Sequence, residues 1–479
     1  DSVNGLVGSE MCIRDRGGPV GPLRIGWLLL VVGLASASWI QVGSSSQPRD
    51  VDLLVIGFPL VGLVAGVGLV SVAARWVMRR VHRTGANLPT ALFLAWRRIT
   101  AAELGSLLVS AAMGVALGLV VFSAVLVDSL ETAASAKTTT VVGGTTQVRV
   151  LSQDGFEPLG ESTTMRRQTT LLTVGDGRVD VLVIDPDTYA DGVSWHPMFG
   201  ASPEELLRML DEPVDADVAA VVVGDRRVPI EGGFGTSNVI SYAVVADVAG
   251  APLASAVSPT LVVRTDQLEA AGRRLHELGR PDDVGVDEWA ESYRSPIERA
   301  TRLLVSQQPV DAVTQQLDAL GIEYRDVRTA SEERDVVGNR AVRWTFEYLR
   351  LLAVVAASAA VGALLFHLSA QRAARRRSTA MATRMGLRRS TAQLSAMLEL
   401  LGLVVLALTA GTLTALLLAA RVFARFEPDP RVPPTVGIQQ SFPVMLSIAV
   451  VTLAVVVAAS LASQRSAHRQ SFGEVLRAS

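Results

Sequence analysis

Four stretches of this chain are too long and too free of charge to be ordinary core helices. Leu53–Ala74, Leu104–Val127, Leu400–Ala420 and Phe442–Ala462 run for 22, 24, 21 and 21 residues without one formal charge. Leu351–Leu368 adds a fifth, 18 residues long, in which only His367 is ionisable. A helix of about 20 apolar residues spans the hydrocarbon core of a bilayer, and in lipid a helix satisfies its own backbone polar groups. Ile25–Ile40 is shorter, but no charge falls between Arg24 and Arg49, so it counts as a sixth span. Composition agrees: 49% of the 479 residues are hydrophobic, 19% are charged, and the mean hydropathy is +0.36. The expected fold class is a membrane protein, an α-helical transmembrane bundle of six spans with one large extracytoplasmic α+β domain.

Charge sets the orientation. Arg75, Arg79, Arg80, Arg83, Arg97 and Arg98 lie between the second and third spans, with no acid before Glu103. Residues 370–395, "AQRAARRRSTAMATRMGLRRSTAQLS", carry seven arginines and no acid; the nearest carboxylates are Glu347 and Glu399. Arg465, Arg469 and Arg477 follow the sixth span. Short arginine-rich loops stay cytoplasmic, so residues 128–346 face outward. The outward region is acidic, with 34 acids against 19 bases over residues 129–342. Of the basic residues only Lys137 is lysine, a sign of a high-GC genome.

Organisation follows. Residues 5–16, "GLVGSEMCIRDR", resemble translated sequencing-adapter read-through, so residues 1–16 are read as an artefact or a disordered tail. They hold the only cysteine, Cys12, which excludes an intrachain disulfide. Residues 17–87 carry two linking helices and a cytoplasmic loop, and 88–128 hold an amphipathic segment and the third span. The outward domain covers 129–346, three spans and the arginine strip cover 347–463, and a cytoplasmic tail covers 464–479. Val- and Ile-rich runs at 147–151, 179–184, 218–224, 238–248 and 260–264 read as strands. Residues 202–212 read as a helix, with Ser202 and Glu205 as a capping box and Pro203 at its first position. Further helices are expected at 265–279, capped by Thr265, and at 309–321, feeding a strand at 322–327. Two lobes are compatible with this order. The third span has no helix breaker in "DSLETAASAK" and is expected to continue as a stalk; a second stalk before Leu351 is weakest at Gly338.

Enzymatic chemistry finds no support. A phosphate-binding P-loop needs Gly-Lys-Ser/Thr, and Lys137 follows Ala136. "GGFGTSN" (232–238) puts Asn238 where a dinucleotide loop needs its last glycine, and reads as a turn. His82, His196, His276, His367 and His468 are scattered. Arg280 stands where H-E-x-x-H needs its second histidine, so His276 reads as a surface residue. No metal site is expected. His367 lies near the cytoplasmic end of its span and is read as interfacial. Small residues recur every four positions in two spans: Ser106, Ser110, Gly114 and Gly118 in the third, Ala407, Gly411, Ala415 and Ala419 in the fifth. That spacing lets helices pack closely in lipid, either within this bundle or against a second permease half.

One span, a large outward domain, then three spans with an arginine-rich loop resembles the FtsX-like permeases, subunits of MacB-type or mechanotransmission ABC transporters. The resemblance covers residues 88–479. It rests on "LPTALFLAWRRITAAELGSLLVSAAMGVALGLVVFSAVLVDSLE", on "QRAARRRSTAMATRMGLRRSTAQLSAMLELLG" and on "QRSAHRQSFGEVLRAS". Arg384, Gly386, Arg388 and Arg389 fall on the family's lRalG-x-x-R positions. Ser378 and Thr379 stand where many relatives carry a glutamate. The two extra spans resemble the pair joining two units in ten-span members, which implies the C-terminal half of a longer permease. The resemblance implies that Met381, Arg384, Met385, Gly386, Leu387, Arg388 and Arg389 dock on a separate cytoplasmic ABC ATPase, which binds the ATP and Mg. This chain would then be no enzyme and hold no cofactor. Other implied partners are membrane lipids and either a second permease half or an extracytoplasmic protein; nucleic acid is not among them. Two rival readings remain: a regulator of an extracytoplasmic cell-wall hydrolase without transport, and a membrane-anchored sensor or binding protein.

Overall fold

The computed structural model describes residues 53–81, 89–100, 104–151, 160–171, 178–224, 230–233, 239–335 (apart from 257, 282 and 292–299), 337–370, 388–426, 431–439 (apart from 436) and 442–468, with several helical residues between 32 and 40. In chain order the helices are α1 Leu53–Val81, α2 Thr90–Thr100, α3 Leu104–Val142, α4 Tyr189–Gly192, α5 Pro203–Leu210, α6 Thr265–Leu278, α7 Val286–Glu291, α8 Val310–Ala319, α9 Ala330–Arg334, α10 Val337–Ala370, α11 Arg389–Phe426 and α12 Phe442–His468. The strands are β1 Thr146–Val150, β2 Ser162–Leu171, β3 Arg178–Ile184, β4 Val218–Val223, β5 Ile230–Gly233, β6 Val239–Val248, β7 Thr260–Arg264, β8 Thr301–Ser306 and β9 Tyr324–Thr329. Two compact units divide them: Asp1–Leu126 with Phe346–Arg425 and Gln440–Ser479, and Val127–Thr345 with Phe426–Gln439.

In the helical unit, Val109–Val142 and Ser390–Phe423 mark two helices long and apolar enough to cross a membrane; the first continues into the other unit. Phe58–Ala74, Arg350–Gly362 and Met445–Val455 are shorter apolar helical stretches. The described residues therefore give two full-length crossing helices where the sequence predicts six. The difference arises because much of 25–40, and the side chains at several span ends, lie outside them. Met113, Ala116 and Leu117 of α3, Ala360 of α10, and Leu400, Val404 and Ala407 of α11 form one buried cluster, with Ile448 of α12 against it.

α3 runs unbroken through the "DSLETAASAK" stretch to Val142, as the absence of a breaker there predicts. The other stalk differs from its reading. α10 starts at Val337 and passes through Gly338, and the break lies before it, where α9 ends at Arg334 and is capped by Asp335.

The other unit is built on one nine-stranded sheet in the order β5-β6-β4-β7-β3-β2-β8-β1-β9, so the two-lobe alternative is replaced by a single continuous sheet. Pairs β3/β7 and β4/β6 are parallel and the rest antiparallel. β3 shows how alternation makes two cores: Leu182 and Ile184 join Met165, Tyr189, Leu206 and Leu210 on one face, whereas Val179, Val181 and Val183 meet Leu268 and Ala271 of α6 on the other. Every residue of β4 is buried, which explains its unbroken apolar run. α8 covers a third cluster, placing Val313 and Leu317 over Val148, Val150 and Leu304.

The edge strand β9 carries Arg325, Asp326 and Arg328, and its register with β1 shifts where Asp326 takes φ 53°. Charge and a bulge are common protection for an exposed sheet edge. Ser202 caps α5 as its sequence predicts, accepting from Glu205 N at 3.1 Å. Thr265 is not the cap of α6: Arg264 holds that position, and the Thr265 hydroxyl donates to the Ile184 carbonyl at 2.9 Å. β2, β5, β8 and the short helices α4, α7 and α9 have no expectation in the sequence reading. β2, "STTMRRQTTL", is polar apart from Met165 and Leu171 and becomes a strand because its neighbours β3 and β8 supply the ladder.

Candidate functional site

Of the residues expected to dock on an ATPase, Met381, Arg384, Met385, Gly386 and Leu387 lie outside the described residues. Arg388 is exposed, and Arg389 is the first residue of α11. His367 lies within α10, its side chain outside the described set. The described part of the strip's surroundings is therefore the base of α11, and α2 is fastened to it. The Arg98 guanidinium lies 3.7 Å from a Glu399 carboxylate oxygen, and Ile99 packs so closely that a Cβ on Gly402 would sit 2.7 Å from its Cδ1. Glu399 is the first acid after the arginine strip, a signal visible in the sequence but with no partner to assign from it.

The two small-residue stripes meet each other. The Ser110 hydroxyl donates to the Leu403 carbonyl at 3.1 Å. A Cβ on Gly114 would stand 3.2 Å from the Ala407 carbonyl oxygen, and one on Gly118 would stand 3.0 Å from that of Gly411. The constant offset means that α3 and α11 run parallel, in register, with backbone against backbone. Ala407, Ala415 and Ala419 are buried; the Ser106 side chain lies outside the described set. α1 joins from the other side and runs antiparallel to both. Leu63 and Val67 close on Gly118 and Gly114, while Gly62 and Gly66 accommodate Leu418 and Thr414. Bulkier side chains would hold these axes apart, because lipid supplies no hydrophobic drive and close contact must.

In the sheet unit, residues 431–435 and 437–439 form a strap. Val432 is 6% exposed and Pro434 is buried. A Cβ on Gly250 would meet Phe199 Cε1 at 2.9 Å and Pro434 Cδ at 3.1 Å. The strap ends on α3: Gln439 N donates to Ser129 Oγ at 3.0 Å, and the Gln439 amide reaches Met198 Sδ at 3.8 Å. Beneath it Tyr189, Trp195 and Phe199 stack edge to face, with centroids 6.4 and 5.1 Å apart. Burial raises the Tyr189 phenol well above its ordinary value and lowers the His196 imidazole.

His276 is not a plain surface residue. Its ring stacks on Trp289 at 4.3 Å and 4°, and the Trp289 indole N–H donates to the His276 carbonyl at 2.7 Å. The Arg264 guanidinium donates to both Asp266 carboxylate oxygens, at 3.0 and 2.8 Å, and also contacts Asp211. Burial pushes the Asp266 carboxyl up, but hydrogen bonds and charge from Arg264 outweigh it and leave the group below its usual range. Among the described residues, no three His, Cys, Asp or Glu side chains are gathered as a metal site needs.

These contacts describe a bundle with a closely packed parallel pair, a fastened base beside the arginine strip, and a strapped sheet domain. No curated protein matches the chain. Residues 350–470, from α10 to just past α12, match the family model described as FtsX-like permease C-terminal. An FtsX-like permease is a protein of the cytoplasmic membrane and a permease subunit of an ABC-type complex, and over residues 350–470 this chain carries the C-terminal domain of that family.

Proposed function

We propose that this protein is the permease of an ABC-type export or mechanotransmission complex of the MacB type. In this reading ATP hydrolysis by a separate cytoplasmic subunit moves an extracytoplasmic sheet domain. The observation that carries it is the in-register pairing of α3 with α11. The arginine bias requires both to leave the cytoplasmic side, hence to run parallel, and requires α1 to run the other way. The contacts of Gly114, Gly118, Gly62 and Gly66 have those directions, which supports six alternating spans. Met381 to Arg389 would dock on the ATPase, and α11 begins at the end of that strip, so a push on the strip is a push on α11. The Gly411 backbone contact hands it to α3, whose 39 residues form one helix ending only three residues before β1 at Thr146. A continuous helix carries displacement without a hinge, which favours mechanical transmission over a passive anchor.

The test is co-purification. The full chain is tagged in its host, extracted gently, and its associated proteins are identified by mass spectrometry, beside a variant with Arg384, Arg388 and Arg389 changed to Glu. A nucleotide-binding ATPase is expected with the unmodified protein and not with the variant. Equal recovery with both, or no ATPase under conditions that preserve other membrane complexes, removes the reading.

A further inference from the structure

The loop between β6 and β7 buries Ala251, Leu253 and Ala254, and one of them holds a backbone conformation that its residue type disfavours. Leu253 has φ 61°, in the left-handed region. A residue with a Cβ crowds the following carbonyl there, at a cost worth about 5–30-fold in an equilibrium. Three contacts keep it in place. Its N–H donates to the Thr140 carbonyl, on the last turn of α3, at 2.6 Å. Its own carbonyl accepts from the Arg167 guanidinium of β2. Its side chain closes on the link between α3 and β1: a Cβ on Gly143 would stand 3.3 Å from Leu253 Cδ2 and as close to Val305 Cγ1 of β8. Each contact has a physical basis. The last carbonyls of a helix find no partner within it; Gly143 N takes that of Thr139, and Leu253 takes that of Thr140. Arg167 reaches the Leu253 carbonyl from an environment whose burial lowers its guanidinium, with Asp180 acting in the opposite sense.

We infer that Leu253 is a strained latch between the stalk end of α3 and the sheet: it holds the last turn of α3 while its contacts persist and relaxes to an ordinary backbone conformation when one of them is lost. A strained residue persists only where its surroundings over-determine it, and such residues cluster at switch points. Strain is what separates a latch from plain packing. A change of φ at Leu253 turns its N–H relative to its carbonyl, so the Thr140 and Arg167 bonds cannot both survive relaxation. Loss of either bond therefore carries the other with it, and a displacement of α3 reaches β2 in one step. An unstrained loop would keep one bond when the other broke. The latch needs only the fold of the sheet unit; that α3 is the element which works it rests on the permease reading.

The experiment is hydrogen exchange on the full chain in mild detergent, without an ATPase, so that it can fail while the permease reading stands. Leu253→Ala keeps the Cβ and its strain; Leu253→Gly removes both and leaves nearly the same cavity. At an unstrained position alanine stabilises the fold over glycine by about 2–5-fold. Here the order should reverse, with the N–H of residue 253 protected about threefold or more better in the glycine variant. Arg167→Met keeps the apolar stem and touches only the carbonyl side of Leu253. It should nevertheless speed exchange of the Leu253 N–H about tenfold or more relative to β4. The Ser194 N–H, bonded to the Gly143 carbonyl at the end of α3, should loosen with it. Alanine protected as well as glycine overturns the inference, as does an Arg167→Met variant with Leu253 exchange unchanged relative to β4. Equal loss at Leu253 and throughout β4 also overturns it, since that is global unfolding and no latch.

Discussion

Gly411→Ala adds one methyl group where α11 crosses α3. The new Cβ would press on the Gly114 carbonyl oxygen and lie 3.0 Å from the Gly118 nitrogen and 3.3 Å from the Gly114 carbonyl carbon. All three are backbone atoms of another helix, so no rotamer change relieves the contact and the axes must separate. Overpacking of this kind costs about 1–3 kcal/mol. Alanine offsets part of it, since it is worth about 0.5–1 kcal/mol more than glycine within a helix. Gly68→Ala on α1 provides the reference, because a Cβ there meets nothing within 4 Å and receives the helical gain alone. The difference between the two variants isolates the steric term, about 1–3 kcal/mol, or several degrees of melting temperature at roughly 2–4 °C per kcal/mol. Thermal unfolding of the detergent-solubilised chain, followed by tryptophan fluorescence, measures it. Gly68→Ala should melt at or slightly above the unmodified protein and Gly411→Ala below both. Equal melting of the two variants would refute direct backbone contact between α3 and α11.

Three further outcomes are expected. Val432→Asp puts a carboxylate into a buried contact, and losing the strap should lower hydrogen-exchange protection of Gln439 and of residues 195–199 by about 2–3 kcal/mol; unchanged protection would mean that the strap contributes nothing there. Ser129→Ala removes the acceptor for Gln439 N and should cost about 1 kcal/mol in the same assay. The Asp266 carboxyl, held low in the folded chain, stabilises above its unfolded titration and loses that contribution as pH falls through its folded value. Asp266→Asn should therefore reduce protection of the first turn of α6 at pH 7 and make progressively less difference toward pH 3; a pH-independent gap would leave the Arg264 pair without a role.

What the sequence determined by itself is what depends on composition and local period. Uncharged runs about as long as a bilayer is thick define apolar helices without reference to neighbours, and Ser202 with Glu205 closes a helix end over three residues. The alternation in "VDVLVI" places residues on two faces whatever covers them, and the absence of a breaker after Val127 let α3 continue to Val142. Tertiary structure decided everything that joins distant segments. Nothing local marks β2 as a strand until β3 and β8 flank it, because a strand's ladder is supplied by other strands. Small residues spaced by four announce a close contact but not its partner, and only the fold sets Gly114 and Gly118 against Ala407 and Gly411. Arg98 with Glu399, and the strap of 431–439 beside Phe199 and on Ser129, join residues some 235 to 310 positions apart in sequence. Local patterning records how one element meets its solvent, water or lipid; which element it meets there is a property of the whole chain.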